Sequence, residues 1–225
     1  MPFSESIIIA EHTDFFVINK PANCHSVIVS RTDGSPCLAA WLLSQYPYLK
    51  SAAKKEGDAG LVQRLDFETS GIIIAAKNPK AWEVLSAALK EPSCKKKYTA
   101  IVSGIPDSKK FIIKGYIGAS GKSQKMVRFF TEEERIRAKF SVLYCETEIE
   151  VEKEFPEKQQ TRVSATISKG ARHQIRVSLA HIGHPLFGDT LYGGGTSNSG
   201  FFLKSQAVTF NYLGKEMHYT LLKDA

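Results

Sequence analysis

The apolar stretch around the isoleucine triplet, Gly71-Ile72-Ile73-Ile74-Ala75-Ala76, is only six residues long. Crossing a bilayer as a helix takes roughly 20 apolar residues, so no membrane span can be drawn. A short run rich in β-branched residues, set between a charged elbow and a turn, reads instead as a strand in a globular core. Other apolar runs are equally short. Residues 6–19 give two short strands around a polar break at 11–14, and Lys20-Pro21 ends the second. Ser35-Pro36 opens a helix over 37–46, with Leu38, Trp41, Leu42 and Leu43 on its apolar face, and Pro47 stops it. A second helix is predicted over 79–90, strands over 98–103 and 110–116, and a further pair over 139–144 and 162–168 joined by an acidic excursion at 146–157 placed on the surface. A helix over 174–182, a Gly/Ser/Asn loop over 193–200 and strands over 201–210 and 217–222 complete the chain. Interspersed strands and helices without repeats or a linker imply one α+β domain over 1–225 built on a mixed sheet.

With 225 residues, 43% of them hydrophobic, the chain is long enough to bury a sizeable core without disulfide or metal staples. Its four cysteines show no C-x-x-C spacing and read as reduced thiols. Met1 to Ser6 carry no basic segment leading an apolar stretch, so a cytoplasmic location is expected. Net charge is +7, and between positions 90 and 128 ten basic residues face only two acidic ones, Glu91 and Asp107. That local field fits a polyanionic partner such as nucleic acid or, alternatively, a solvated lysine-rich face.

Two constellations carry chemistry. The first, Gln63-Arg64-Leu65-Asp66-Phe67-Glu68-Thr69-Ser70-Gly71, sets a carboxylate between two apolar strands. Asp66 there either serves a cleft floor or caps the turn through Thr69 and Ser70. The second runs from Gly170-Ala171-Arg172-His173-Gln174-Ile175-Arg176 through His181-Ile182-Gly183-His184-Pro185 to Gly188-Asp189-Thr190-Leu191-Tyr192-Gly193. Arg172 and Arg176, four apart, would share one helix face and could hold a carboxylate or phosphates. His181 and His184 lack a third ligand at suitable spacing, so no metal is expected.

Together Arg64-Leu65-Asp66-x-x-Thr69-Ser70-Gly71, His173-Gln174-Ile175-Arg176 and the stretch to Tyr192-Gly193 closely resemble the RluA family of pseudouridine synthases. The likeness continues at Val17-Ile18-Asn19-Lys20-Pro21 and Lys97-Tyr98-x-Ala100-x-Val102-x-Gly104, in order along nearly the whole chain. The resemblance implies the pseudouridine synthase catalytic fold: a mixed, mostly antiparallel sheet flanked by helices, with a central RNA-binding cleft and, here, no S4 domain ahead of it. It implies an RNA pseudouridine synthase that isomerises specific uridines of structured rRNA or tRNA after flipping the base out, with neither cofactor nor metal, expected as a monomer. It makes Asp66 the catalytic carboxylate, Tyr98 the residue that stacks on the base, and Arg176 the partner of the carboxylate. Arg64 is implied to occupy the space of the extruded nucleotide. Lys95, Lys96, Lys97, Arg172, His173 and Gln174 are expected on the RNA, with the 122–128 segment as a further phosphate contact.

The chain departs from the family pattern at Gln63, where His is usual, at Ala171, where Arg often stands, and at Lys204, near a usual His. Three other readings compete. Gly115 to Ser123 looks like a phosphate-cradling loop but puts Tyr116 where the spacing requires Gly. A glycosidase would use Asp66 with Glu68. A catalytically impaired RNA-binding protein of the same fold would follow if Gln63 or Ala171 disables the site.

Overall fold

A computed structural model of the chain describes residues 3, 7–28, 34–120, 126–138, 140–198 and 200–222. In chain order its elements are β1 (Ile8–Glu11), β2 (Phe15–Lys20), α1 (Leu38–Gln45), β3 (Ser70–Ala76), α2 (Pro79–Ala88), β4 (Lys95–Ser103), β5 (Lys110–Ser120), β6 (Met126–Phe130), α3 (Glu132–Arg137), β7 (Val142–Phe155), β8 (Gln160–Ile167), α4 (Gln174–His181), β9 (Leu203–Tyr212) and β10 (Lys215–Thr220). The expected α+β class holds, and nearly every strand pairing is antiparallel. The chain divides into two compact units, one of Met1–Cys94 with Lys204–Ala225, the other of Lys95–Leu203. No helix among the described residues is long and apolar enough to cross a membrane.

In the first unit the strands run β1-β2-β3-β9-β10, with β3 and β9 the parallel pair. The isoleucine triplet forms β3, and both its faces are covered, which is why it shows no polar alternation. Ile72 and Ile74 join Phe15, Val17, Val208 and Phe210 beneath Ala81, Leu85 and Leu89 from α2 and the turn after it. Each such buried side chain contributes about 2 kcal/mol. The N-terminus of α2 is set by Asn78, whose side chain accepts the N–H of Ala81 at 2.8 Å, with Pro79 as its first residue. The stretch 61–65 is not a second strand but touches the sheet through one bridge, Leu61 to Ala75.

Gly71 is required where β3 meets β9. Its φ is +109°, and a Cβ there would lie 2.3 Å from the Ser205 carbonyl oxygen and 2.6 Å from the Ser205 nitrogen. Only glycine lets the two backbones approach this closely.

The second unit is an antiparallel sheet in the order β4-β8-β7-β5-β6. The acidic segment expected as a surface excursion is the 14-residue strand β7. Cys145, Thr147 and Ile149 point inward while Glu146, Glu148 and Glu150 point to solvent. Two of the glutamates lie across from basic residues of β5: Lys114 stands opposite Glu146, with Nζ 3.2 Å from Oε1, and Lys110 opposite Glu150. Two elements were not expected, β6 and α3. The helix opens with a capping box in which Thr131 and Glu134 each accept the other's backbone N–H.

Gly115 and Gly118 of the candidate phosphate loop lie inside β5. A Cβ on Gly115 would meet the Phe129 ring at 2.2 Å, so an aromatic side chain of β6 occupies that space. Residues 121–123 of that loop, Lys122 and Lys125 of the expected phosphate contact, and Lys139 lie outside the described residues, as do 29–33 within the segment 24–35.

Replacing Gly71 by Ala should lower stability by at least about 2 kcal/mol, from forced left-handed backbone and overlap with Ser205. Urea unfolding checks this, and an unchanged midpoint would contradict the assigned constraint.

Candidate active site

In the first unit the Asp66 loop is tied down on both sides of the carboxylate. Ser26 Oγ donates to the Leu65 carbonyl at 2.7 Å and accepts the Leu65 N–H at 3.0 Å. The Cys24 N–H donates to the Phe67 carbonyl at 3.0 Å, and the Thr69 N–H closes a turn onto the Asp66 carbonyl at 3.2 Å. Lys20, at the end of β2, is completely buried. Its ammonium donates to the carbonyls of Cys24 at 2.7 Å, Pro21 at 2.9 Å and Phe67 at 3.3 Å. One buried cation thereby joins the end of a strand, the turn after it and the residue following Asp66. Burial lowers the Lys20 pKa from 10.5 to about 8, opposed by the Cys24 thiol and the carboxylates of Asp66 and Glu68. Asp66 itself is half-buried, and Arg64 is exposed.

In the second unit Tyr98 lies on β4, buried to 9% exposure, opposite Ala165 of β8. Arg176 on α4 is a buried guanidinium whose Nε and Nη2 donate to Asp189 Oδ2 and Oδ1 at 2.7 and 2.9 Å. The side chains of the pair are 5% and 1% exposed. Asp189 Oδ1 also accepts the Leu191 N–H at 3.1 Å, and the guanidinium stacks over the rings of Phe201 at 4.5 Å and Tyr192 at 5.1 Å. The two-pronged fork and the flanking rings fix the plane of Arg176.

Arg172 and Arg176 do not share a helix face. His173 takes φ +53° and ends the helix on its N-terminal side, so Arg172 is exposed ahead of α4 while Arg176 is inside it. His173 Nδ1 and the Tyr192 hydroxyl are hydrogen-bonded at 2.8 Å, and the hydroxyl accepts the Val127 N–H at 3.1 Å. Gln174 is 2% exposed. Its amide donates to the Glu146 carbonyl and Thr147 Oγ1 at 2.9 and 3.1 Å and accepts from the Ala171 N–H at 3.0 Å. It fastens α4 to β7. Lys95 is exposed and Lys97 half-buried, whereas Lys96 is 8% exposed on the opposite face of the strand. His181 stacks on Phe129 with centroids 4.3 Å apart, and His184 Nδ1 contacts the Ser103 carbonyl at 3.0 Å, so both are engaged in packing.

Ser26, Asp189 and the buried state of Lys20 were not singled out from the sequence. The available signals were a lysine ending the apolar run Phe-Phe-Val-Ile-Asn-Lys and an aspartate inside the Gly188-Asp189-x-x-Tyr192-Gly193 stretch.

A family model described as RNA pseudouridylate synthase matches residues 14–181. The chain belongs to the RNA pseudouridylate synthase family. Among curated members, an uncharacterized RNA pseudouridine synthase of Chlorobaculum parvum is 38% identical over 71% of this chain and 47% of its own length. The ribosomal large subunit pseudouridine synthase D of Haemophilus ducreyi is 33% identical over 83% of this chain and 52% of its own. The chain thus spans about half the length of such relatives. The solved structure of human RNA pseudouridylate synthase domain containing 1 shares the family fold, with a TM-score of 0.75 at 20% identity over 99% of this chain and 86% of that one. The structure of domain containing 4 aligns with a TM-score of 0.72 at 18% identity, over 96% of this chain and 88% of that one.

Two outcomes follow from the buried charges. Because the folded Lys20 pKa lies below the unfolded one, the unfolded chain holds the extra proton between them, and raising pH through that window favours the folded state. The stability of the wild type relative to Lys20→Met should therefore rise between pH about 8 and 10.5, read from urea midpoints at each pH; a flat difference would contradict it. Asp189→Asn should cost about 3–5 kcal/mol by stranding a buried guanidinium. Adding Arg176→Met to that variant should recover most of the loss; additive losses in unfolding would contradict a closed ion pair.

Proposed function

We propose that this chain is an RNA pseudouridine synthase that isomerises specific uridines of structured rRNA or tRNA. The observation that carries the reading is the Asp66 loop: a carboxylate whose flanking backbone is tied to Ser26, Cys24 and a buried lysine, within a family match over 14–181. Relatives named as ribosomal large subunit pseudouridine synthases support an RNA substrate.

The reaction breaks the N1–C1′ bond of a uridine, turns the base and rejoins it through C5. It is an isomerisation and needs neither redox cofactor nor metal. Positive character develops at C1′ as the base departs, and the ionised Asp66 answers it, by bonding or by charge. Tyr98 stacks on the base, and Arg176, held in plane by Asp189, is the residue that the family resemblance pairs with the Asp66 carboxylate. Chemistry on a base requires extruding it from its stack, and the exposed Arg64 fills the space it leaves. Lys95, Lys97, Arg172 and His173 contact the RNA, the first three as cations on phosphates. The chain is read as a single catalytic domain over 1–225, working as a monomer in the cytoplasm.

Asp66→Asn removes charge and keeps shape. Nucleoside chromatography of digested rRNA and tRNA transcripts should show pseudouridine after incubation with wild type and none after the variant. RNA affinity by filter binding should stay within a few-fold. Wild-type binding without product would favour the catalytically impaired RNA-binding protein; product from the variant would remove Asp66 from the chemistry.

A further inference from the structure

Lys96 does not sit as a phosphate-contacting lysine would. The three consecutive lysines opening β4 alternate between faces: Lys95 is exposed and Lys97 half-buried, while Lys96 is 8% exposed. A strand repeats its facing every two residues, so Lys96 and Tyr98 project from the same face. Across the sheet Lys96 stands opposite Ile167 and Tyr98 opposite Ala165, and Ala165 stands opposite Ile149 of β7. The same register puts Thr147 in the row of Lys96. Thr147 is completely buried and accepts a hydrogen bond from Gln174 at the start of α4, the helix that carries Arg176. The face of β4 bearing Tyr98 is therefore continuous with the sheet face to which α4 is fastened at β7, and a lysine has been placed on it. Withdrawing an ammonium from water is unfavourable. A contact to backbone phosphate needs no such withdrawal, since Lys95 and Lys97 remain within reach of solvent on the other face.

We propose that Lys96 is a catalytic residue for the target base, its ammonium stabilising the uracil as a leaving group. The proposal rests on the synthase reading above. When the N1–C1′ bond breaks, its electron pair leaves with the base, and the negative charge spreads over N1, O2 and O4. A cation beside the stacking tyrosine, already stripped of most of its water, lowers the energy of that anion without having to reorganise solvent. As C5 attacks C1′ a new carbon–carbon bond forms, the C5 hydrogen departs as a proton to water, and N1 takes up a proton. The charge Lys96 faces then disappears, and Lys96 ends in its starting state.

The test compares full-length wild type, Lys96→Met, Lys96→Arg and Lys95→Met on unmodified rRNA and tRNA transcripts. Absence of wild-type turnover would remove the synthase reading and this proposal with it; the remaining comparisons test the proposal on an active enzyme. Lys96→Met should lower kcat by about 100-fold, the scale of a lost charge-stabilising group. Its KM and the salt dependence of RNA binding should stay within about twofold of wild type, and Lys96→Arg should recover part of the rate. Lys95→Met should do the reverse, weakening binding and flattening its salt dependence at unchanged kcat. In transcripts carrying 5-fluorouridine the departing base is a more stable anion, so the Lys96→Met penalty on single-turnover loss of that nucleoside should shrink at least about tenfold, a response that a packing defect would not produce. An undiminished penalty with 5-fluorouridine, or a Lys96→Met enzyme altered in KM and salt slope like Lys95→Met, would overturn the proposal.

Discussion

A lysine ammonium shut away from water has to be answered by oxygen atoms at close range, and at Lys20 three backbone carbonyls do so. Those carbonyls belong to the turn that follows β2 and to the residue after Asp66. A single desolvated charge thus fixes the distance between a strand end and the loop that carries the candidate carboxylate. The parallel contact of β3 with β9 sets the other side of that loop, and Gly71 is the residue that permits it. The Asp66 loop has neither helix nor strand of its own between 62 and 69, so its order comes from these ties.

The second unit uses the same device with the signs shared between side chains. Arg176 enters the interior because Asp189 meets it with both oxygens, and Asp189 is held by the Leu191 N–H. Such a pair contributes little to stability compared with an apolar substitute, and its value lies in geometry. A guanidinium gripped at two nitrogens and flanked by two rings cannot swing. Gln174 completes the frame by fastening the first turn of α4 to β7, so the helix cannot slide along the sheet.

Most of the architecture was legible in the sequence because its signals are local. The isoleucine run, Pro79 after Asn78, and the apolar spacing of 37–46 each specify their element through periodicity or capping. What was missed has physical reasons too. In Glu146-Thr147-Glu148-Ile149-Glu150-Val151 the alternation that marks a strand was present, but its charge read as a solvent excursion until β5 supplied the opposing lysines. Thr131 and Glu134 spell a capping box, but the helix it opens is six residues long and buries no side chain, so no apolar spacing marks it. Arg172 and Arg176 were set on one helix face by spacing alone, and the left-handed backbone of His173 breaks that spacing. Asp66, Tyr98 and Arg176 stand out in the sequence through the family resemblance, whereas Lys20, Ser26 and Asp189 are marked by backbone hydrogen bonds and burial, which no local pattern encodes.

In the proposed reaction uridine in RNA is rejoined through C5. RNA transcripts carrying tritium at uridine C5 test it directly, since that hydrogen must leave when the new bond forms. The wild-type chain should release tritium to water in proportion to the number of sites modified, from ribosomal transcripts, transfer RNA transcripts or both. Retention of all label in both RNAs, by a folded protein that binds them, would contradict the assignment.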